Sequence, residues 1–357
     1  MLAPDHLATL VVALAFALAF VFGAVAQRVN FCTMGAIADI ANFGDWRRMR
    51  MWLLAIAVAV AGTGLMQWLG WIDIGKSIYT SAQVPWLSHI VGGFLFGFGM
   101  TLASGCGSKT LLRIGAGNLK SLIVLVFLAA GAYMTLKGVF APLRAFGLDV
   151  VRFDAGAKSS DLPSLAIATG VTSARAWLPL VIGAVIVGGW YVTAHLGYLP
   201  EDPQTLEEKF VATNSGRPES YSFVAPTAYL LELLLLWTDR SRVVTFGIAG
   251  VLGMLLGAAA VAVATRTFRW ESFASVEDMS NHVVGGLLMG FGGVTALGCT
   301  IGQGISGVST LAVGSFIALA AIVAGCVSAL RYQSWRIERT DLRASRRPAG
   351  NSAGAVM

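Results

Sequence analysis

Long apolar segments alternate with short polar ones along the whole chain. An α-helix needs roughly 20 residues to cross a bilayer, and eight segments come close to that length. The pattern therefore predicts an all-α integral membrane protein. The apolar runs cover residues 7–26, 51–70, 86–104, 118–137, 176–196, 243–264, 282–298 and 313–330.

A ninth apolar segment, residues 223–237, is short and contains Pro226 and Glu232. Two interpretations stay open for it: a full crossing, or a half-helix that enters the bundle. With this segment counted, we predict about nine transmembrane helices plus short half-helices.

The least apolar part of the interior predicts a division of the chain. Residues 138–175 read as a connector between two membrane halves, because they hold no long apolar run. The predicted parts are a first half at 1–137, the connector at 138–175, a second half at 176–330 and a basic tail at 331–357.

The basic residues predict an orientation, because cytoplasmic loops retain Lys and Arg. With nine crossings and the N-terminus outside, 17 of the 25 basic residues fall in inner regions; eight crossings give only a 14 to 11 split. We therefore expect a periplasmic N-terminus and a cytoplasmic C-terminus. The inner regions would be 27–50, 105–120, 197–222, 265–281 and 331–357.

Composition excludes an ordinary soluble protein. The chain is 56% hydrophobic and 12% charged, whereas soluble domains carry about 25% charged residues. The formal charge of +6 is spread over loops and the tail. It therefore forms no patch of the kind that binds nucleic acid.

An internal repeat is the strongest signal in the sequence. Residues 89–106 align without a gap on residues 282–299, and 11 of the 18 positions are identical. In the nine-crossing arrangement the two copies run in opposite directions. Inverted repeats with interrupted helices are typical of transporters, whose substrate site lies between the halves.

Each repeat ends in a Gly-Cys pair followed by a polar, glycine-bearing break, at Cys106 and Cys299, and Cys32 opens a similar break. Non-helical backbone at membrane depth persists only where protein or a polar path satisfies it. A thiol is a weak donor and a weak, polarizable acceptor. Aligned thiols could therefore bind a soft, sulfur-bearing anion briefly and release it, as conduction requires. Cys326 lies in an unbroken apolar run and reads as structural.

Other residues near the breaks could support an anion. Half-helix N-termini favour negative charge. Arg28 and Lys109 could assist at the inner mouth or serve as ordinary membrane anchors, and Gln303 could bind an oxyanion or cap backbone. The supporting candidates are Arg28, Asn30, Gly105, Lys109, Gly298 and Gln303.

The remaining titratable residues in apolar surroundings have weaker interpretations. His89 and His282 each begin a repeat helix, which suits capping better than ligand binding. Glu232 could couple transport to protons, since an intramembrane carboxylate is a functional candidate by default. Its alternatives are an interfacial position or a pair with Arg240.

The motifs carry a family resemblance. Residues 30–36, Asn-Phe-Cys-Thr-Met-Gly-Ala, and residues 298–304, Gly-Cys-Thr-Ile-Gly-Gln-Gly, resemble the YeeE/YedE family of sulfur transport proteins. The resemblance implies an hourglass-shaped bundle with inverted pseudo-symmetry and thiosulfate uptake across the bacterial inner membrane. It implies that Cys32, Cys106 and Cys299 relay the anion through S–H contacts. It also implies a TusA-like cytoplasmic sulfur carrier as partner; no cofactor or metal is expected.

Two rival functions were weighed. Residues 304–307, Gly-Ile-Ser-Gly, match the nucleophile motif of rhomboid-type intramembrane serine proteases, but no histidine follows Ser306 to act as its base. A channel or transporter for another small sulfur or selenium anion, or for another solute, is the second. A thiol-bound metal would want histidine or carboxylate partners, which Cys106 and Cys299 lack nearby in the sequence.

Overall fold

The fold is a bundle of eleven α-helices in the part of the chain that the computed structural model describes, which is residues 4–81, 83–154, 177–202, 206–273 and 275–345. The helices are α1 (Pro4–Val29), α2 (Thr33–Phe43), α3 (Arg47–Trp68), α4 (Trp86–Leu102), α5 (Gly107–Gly115), α6 (Leu119–Leu136), α7 (Trp177–Tyr191), α8 (Ala225–Leu235), α9 (Phe246–Ala264), α10 (Val276–Thr295) and α11 (Val313–Ser345).

Short elements connect the helices. Two antiparallel ribbons pair β1 (Gln83–Val84) with β2 (Phe153–Asp154) and β3 (Tyr198–Leu199) with β4 (Lys209–Phe210). Single turns of π-helix cover Leu143–Leu148, Val192–Leu196 and Gly302–Gly307, and 3₁₀ turns cover Ile74–Lys76 and Val308–Thr310.

The chain is a multi-pass membrane protein. Among the described residues, seven helical segments are long and apolar enough to cross a bilayer, and α8 is a shorter apolar helix. The pairs α1 with α2 and α4 with α5 each count as one segment. The count of nine crossings stays a prediction, but α8 does not supply the ninth crossing.

The helix of the second repeat begins earlier than its apolar run. Ser275 caps α10 by accepting a hydrogen bond from the Asp278 amide at 3.1 Å, and Glu277 and Asp278 complement the positive N-terminus. His282 therefore lies inside the helix, and the expectation that it begins the helix is wrong. A polar first turn with a good cap extends a helix beyond its hydrophobic segment.

Glycines bring α4 and α10 into direct backbone contact as antiparallel neighbours. A Cβ on Gly99 would lie 2.7 Å from the Gly285 oxygen, and one on Gly285 would lie 2.6 Å from the Gly99 oxygen. The same reciprocal approach joins Gly92 and Gly292, at 2.8 and 2.6 Å. Small residues permit such close packing between membrane helices. Outside this pair, α11 packs on α4 and α6 packs on α10.

The segment between α7 and α8 lies on an unexpected face of the bundle. Lys76, in the loop that joins α3 to α4, forms an ion pair with Glu208 at 2.5 Å, and His195 contacts the Trp71 carbonyl oxygen at 2.9 Å. Residues 197–222 therefore share a face with the loop 69–85. We call this face outer, following the charge prediction.

The expectation that residues 197–222 lie inside is thus wrong. The reason is that α8 does not cross the bundle: the Phe246 amide at the start of α9 donates to the Ala212 oxygen at 2.8 Å, so both flanks of α8 share the outer face. Residues 223–237 were predicted to be either a full crossing or a half-helix, and the structure shows a half-helix there. Moving Lys209 and Arg217 outside leaves 15 of 25 basic residues inside, so the charge bias keeps its sign.

The predicted connector and tail are described only in part. Residues 155–175 of the connector and residues 346–357 of the tail lie outside the described residues. In the described part of the tail, α11 continues as helix through Ser345.

Adding a methyl group at a glycine contact should destabilise the bundle. A Cβ on Gly97 would lie 2.0 Å from the Ile322 backbone oxygen, so we expect Gly97→Ala to cost about 1–3 kcal/mol through overpacking. The measurement is the thermal midpoint of the purified protein in detergent, followed by tryptophan fluorescence.

The matched control is Gly64→Ala in α3, where a Cβ would have no neighbour within 4 Å. Alanine favours a helix over glycine by about 0.5–1 kcal/mol, so this variant should melt at the same temperature or slightly higher. Equal midpoints for the two variants would contradict the glycine contact.

Candidate functional site

Each of the three cysteines follows the end of a helix that terminates in the same way. The residue two positions before each cysteine has a left-handed backbone: Asn30 (φ 54°), Ser104 (φ 56°) and Leu297 (φ 59°). The next amide then reaches back across the last helical turn. These bonds are Phe31 N to Ala26 O at 2.9 Å, Gly105 N to Met100 O at 2.8 Å and Gly298 N to Gly293 O at 2.7 Å.

This arrangement is the Schellman motif, which satisfies the free carbonyl groups at a helix C-terminus. Each cysteine then starts the next helical turn, because its carbonyl accepts from the amide four residues later. The acceptor pairs are Cys32 with Ala36 at 3.0 Å, Cys106 with Thr110 at 2.9 Å and Cys299 with Gln303 at 2.7 Å. Three separate breaks thus have one backbone design.

The sulfur atoms of two cysteines also cap these turns. Cys32 Sγ accepts from the Gly35 amide at 3.3 Å, and Cys299 Sγ accepts from the Gly302 amide at 3.4 Å. Cys106 Sγ lies 3.2 Å from the Ser108 hydroxyl oxygen. A sulfur that accepts an amide proton keeps its own S–H available as a donor.

The thiols are free, buried and close to one another. Cys32 is 8% exposed, Cys106 1% and Cys299 0%. Cys106 lies within electrostatic range of both Cys32 and Cys299. Cys106 is therefore an electrostatic neighbour of the other two cysteines that the sequence selected.

Cys326 lies nearer to this group than its sequence context indicates. Its sulfur accepts a hydrogen bond from the Thr101 hydroxyl at 3.2 Å, across the contact between α11 and α4. It also lies within electrostatic range of Cys32 and Cys106. Unlike them, it lies within a continuous helix.

Basic residues gather on the inner side of Cys32. Lys109 donates a hydrogen bond to the Asn30 side-chain oxygen and so ties α5 to the end of α1. Arg48 pairs with Asp39 at 3.2 Å and lies over Gly35, where a Cβ would be 2.5 Å from its Nη1. Sequence reasoning missed Arg48, because it reads as one of several loop arginines. Arg28 is exposed in the last turn of α1.

Two glycines beside the cysteines allow the chain to fold tightly over each break. A Cβ on Gly298 would lie 3.0 Å from the Gln303 amide nitrogen, and one on Gly105 would lie 3.2 Å from Lys109 Cγ. Gln303 is buried, and its Nε2 donates to the Ala296 backbone oxygen at 2.5 Å. Of the two roles considered for Gln303, oxyanion binding and backbone capping, this bond corresponds to backbone capping.

A cavity of about 200 Å³ lies on the outer side of Cys299 and reaches Gly298. It contains one guanidinium group, Arg144, and one carboxylate, Glu219, beside the phenol groups of Tyr79 and Tyr229. Sequence reasoning missed these residues, since they come from segments that are distant in the chain and carry no motif.

Comparison with known proteins shows the family of this chain. The model of the Sulphur transport family matches residues 28–210 and 163–328. The chain belongs to this family. Proteins named thiosulfate transporter TsuA are similar along most of their length. The protein from Escherichia coli (strain K12) is 28% identical over 79% of this chain and 83% of its own. The protein from Spirochaeta thermophila is 26% identical over 84% of this chain and 92% of its own.

Other polar groups of this family member are engaged in structural contacts. Glu232 is 2% exposed and pairs with Lys137 at 2.8 Å and Arg242 at 3.1 Å. The arginine partner is therefore Arg242 and not the expected Arg240.

The hydroxyl and imidazole groups considered for other functions are also engaged. Ser306 is buried and donates to the Tyr221 backbone oxygen at 2.8 Å. His89 contacts the Ala296 oxygen at 3.2 Å, and His282 lies 3.1 Å from the Asp278 carboxylate. Within the described residues there is no group of three or more His, Cys, Asp or Glu that could hold a metal ion.

The Gln303 amide should hold the second break in shape. We expect Gln303→Ala to lower stability by about 0.5–1.5 kcal/mol, since it removes one of the two polar contacts of the Ala296 oxygen and leaves only that of His89. The measurement is again the thermal midpoint in detergent.

Gln333→Ala is the matched control. Gln333 donates to the Thr101 oxygen at 3.5 Å from a partly buried position on α11, so its loss should change the midpoint much less. An equal decrease for both variants would show that the Ala296 bond has no special weight.

Proposed function

We propose that this protein is an inner-membrane permease that carries thiosulfate into the bacterial cell past the thiols of Cys299, Cys106 and Cys32. The observation that carries the proposal is the triplicate break, which delivers three buried thiols on the same backbone motif. Relatives named thiosulfate transporters, similar over most of the chain, support the choice of anion.

The chemistry of the thiols fits the terminal sulfur of thiosulfate. That sulfur carries negative charge and is large and polarizable, so it accepts weak S–H hydrogen bonds. Backbone amides that donate to Cys32 Sγ and Cys299 Sγ withdraw electron density and strengthen these S–H donors. Weak contacts at several sites allow the anion to enter and to leave. No bond to sulfur is made or broken.

The placement of the groups supports one anion path. Thiosulfate enters the outer cavity, which reaches Gly298, and contacts Cys299 first. It then passes to Cys106 and Cys32 and leaves beside Lys109 and Arg28 on the inner side. Gly105 and Gly298 keep the breaks narrow, and Asn30 holds the Lys109 ammonium at the exit.

We propose that the bundle is an hourglass-like inverted repeat with the N-terminus outside and the C-terminus inside. Two matches to the family model, at 28–210 and 163–328, which overlap over residues 163–210, support a duplication. The reciprocal glycine contacts of α4 and α10 also support it, because each repeat helix meets the other through equivalent positions. A TusA-like carrier at the inner mouth would receive the imported anion.

Substitution of the relay cysteines is the test. We expect Cys32→Ala, Cys106→Ala and Cys299→Ala each to abolish uptake, because each removes one S–H contact from the path. The measurement is growth on thiosulfate as sole sulfur source, in a strain that lacks its own sulfate and thiosulfate importers. Membrane abundance of each variant is measured in parallel.

Cys326→Ala is the matched control, since it is equally buried and close to the other thiols but lies within a helix. We expect the strain that expresses Cys326→Ala to grow like the strain that expresses the unaltered protein. Growth of the three relay variants, or loss of growth at Cys326 alone, would overturn the relay. Competition by other sulfur or selenium anions in the same strain would identify an alternative substrate.

A further inference from the structure

The wall of the outer cavity includes a carboxyl group that a doubly negative anion would meet. Glu219 and Arg144 both line it, and Gly298, next to Cys299, forms part of the same surface. Every anion that reaches Cys299 by this route passes Glu219. The ionisation state of the Glu219 side chain therefore affects the entry of an anion into the cavity.

The contacts of Glu219 show a carboxylate without a counterion. Its Oε2 accepts from the Ser215 hydroxyl at 3.0 Å, and its Oε1 lies 3.5 Å from the Asn214 amide nitrogen. Among the described residues, no basic side chain forms an ion pair with it. Glu219 is half-buried. The buried carboxylate Glu232 differs because it has Lys137 and Arg242 as partners.

The elements around Glu219 add little positive charge. Arg144, on the π-helical turn that follows α6, is ion-paired with Asp149 at 3.5 Å. The loop 69–85 contributes Tyr79, and α8 contributes Tyr229. Both phenol groups interact electrostatically with Glu219. From its own loop, exposed Arg217 is the nearest basic residue in sequence. The other packed elements offer uncharged groups, namely Thr193 after α7, Gly247 of α9, and Gly293 and Val294 of α10.

An ionised Glu219 and a dianion repel each other strongly in a cavity this small, because the surrounding protein screens charge poorly. Protonation removes the repulsion and adds an O–H donor. Burial raises the pKa of Glu219 to about 7, so the proton is available near neutral pH. Glu219 lies outside the spanning helices, on the face where the anion enters.

We infer that Glu219 takes up a proton from the outer solution when the anion binds in the outer cavity, so that anion entry is linked to proton binding. The inference rests on the proposed function, because it needs an anion that enters from this side. The proton moves from water to a carboxylate oxygen of Glu219, and no other bond changes. By linkage, acid pH favours the anion and the anion favours the proton.

The test uses the full-length protein in proteoliposomes and measures initial uptake of radiolabelled thiosulfate, far below saturation, between pH 8 and pH 6. The neutral form of a group with a pKa of about 7 becomes about tenfold more populated over this range, and uptake should rise in proportion. Thiosulfate stays a dianion throughout. A pH-sensitive dye should also report proton uptake when thiosulfate is added to the detergent-solubilised protein.

Glu219→Gln keeps the shape of the side chain without its charge, so its uptake should be high and independent of pH. Glu208→Gln is the matched control, because Glu208 is an exposed glutamate of the same loop that pairs with Lys76. It should keep the pH profile of the unaltered protein.

Flat uptake by the unaltered protein across this range, or an unchanged profile in Glu219→Gln, would overturn the inference. Should Glu219→Gln fail to fold, absence of proton uptake by the unaltered protein would overturn it as well. Failure of the unaltered protein to take up thiosulfate at any pH is a different result. It would refute the proposed function itself.

Discussion

Backbone amide and carbonyl groups at membrane depth must be satisfied within the protein, and the three helix breaks depend on this constraint. Each unsatisfied group would cost several kcal/mol, on the order of the net stability of a domain. The Schellman bonds satisfy the ends of α1, α4 and α10. Sulfur atoms then cap the turns that follow Cys32 and Cys299. The groups proposed to contact the anion therefore also stabilise the breaks that hold them.

Packing of the antiparallel repeat helices fixes the positions of two of these breaks, one at each end of the pair. Because α4 and α10 approach at backbone distance, each through paired glycines, the ends that carry Cys106 and Cys299 are placed with little freedom. The thiols are buried in this conformation, so the proposed relay requires the contacts around them to open. Moving a dianion inward also opposes the membrane potential by about 2.3 kcal/mol per charge per 100 mV. Proton binding at Glu219 would offset part of the charge at entry.

The sequence predicted the features that leave a local trace. Apolar runs located the helices, and Gly-Cys pairs beside polar segments located the breaks. Prediction from the sequence failed where tertiary packing determines the position of a segment or a side chain. Residues 197–222 were assigned to the wrong face because the length of α8 does not reveal whether it crosses. Arg48, Tyr79 and Glu219 carry no motif and reach the site only through packing of distant segments. Arg242 rather than Arg240 pairs with Glu232 because the turn after α8 decides which arginine returns to it.

The most direct measurement is a crystal structure from crystals of the full-length protein soaked with selenosulfate. In selenosulfate, selenium replaces the terminal sulfur of thiosulfate, and anomalous scattering locates it. We expect the selenium in contact with the sulfur of Cys299 or Cys106, with the oxygen atoms directed away from the thiols. An anion that binds elsewhere in the bundle, or with its oxygen atoms toward the thiols, would contradict the relay.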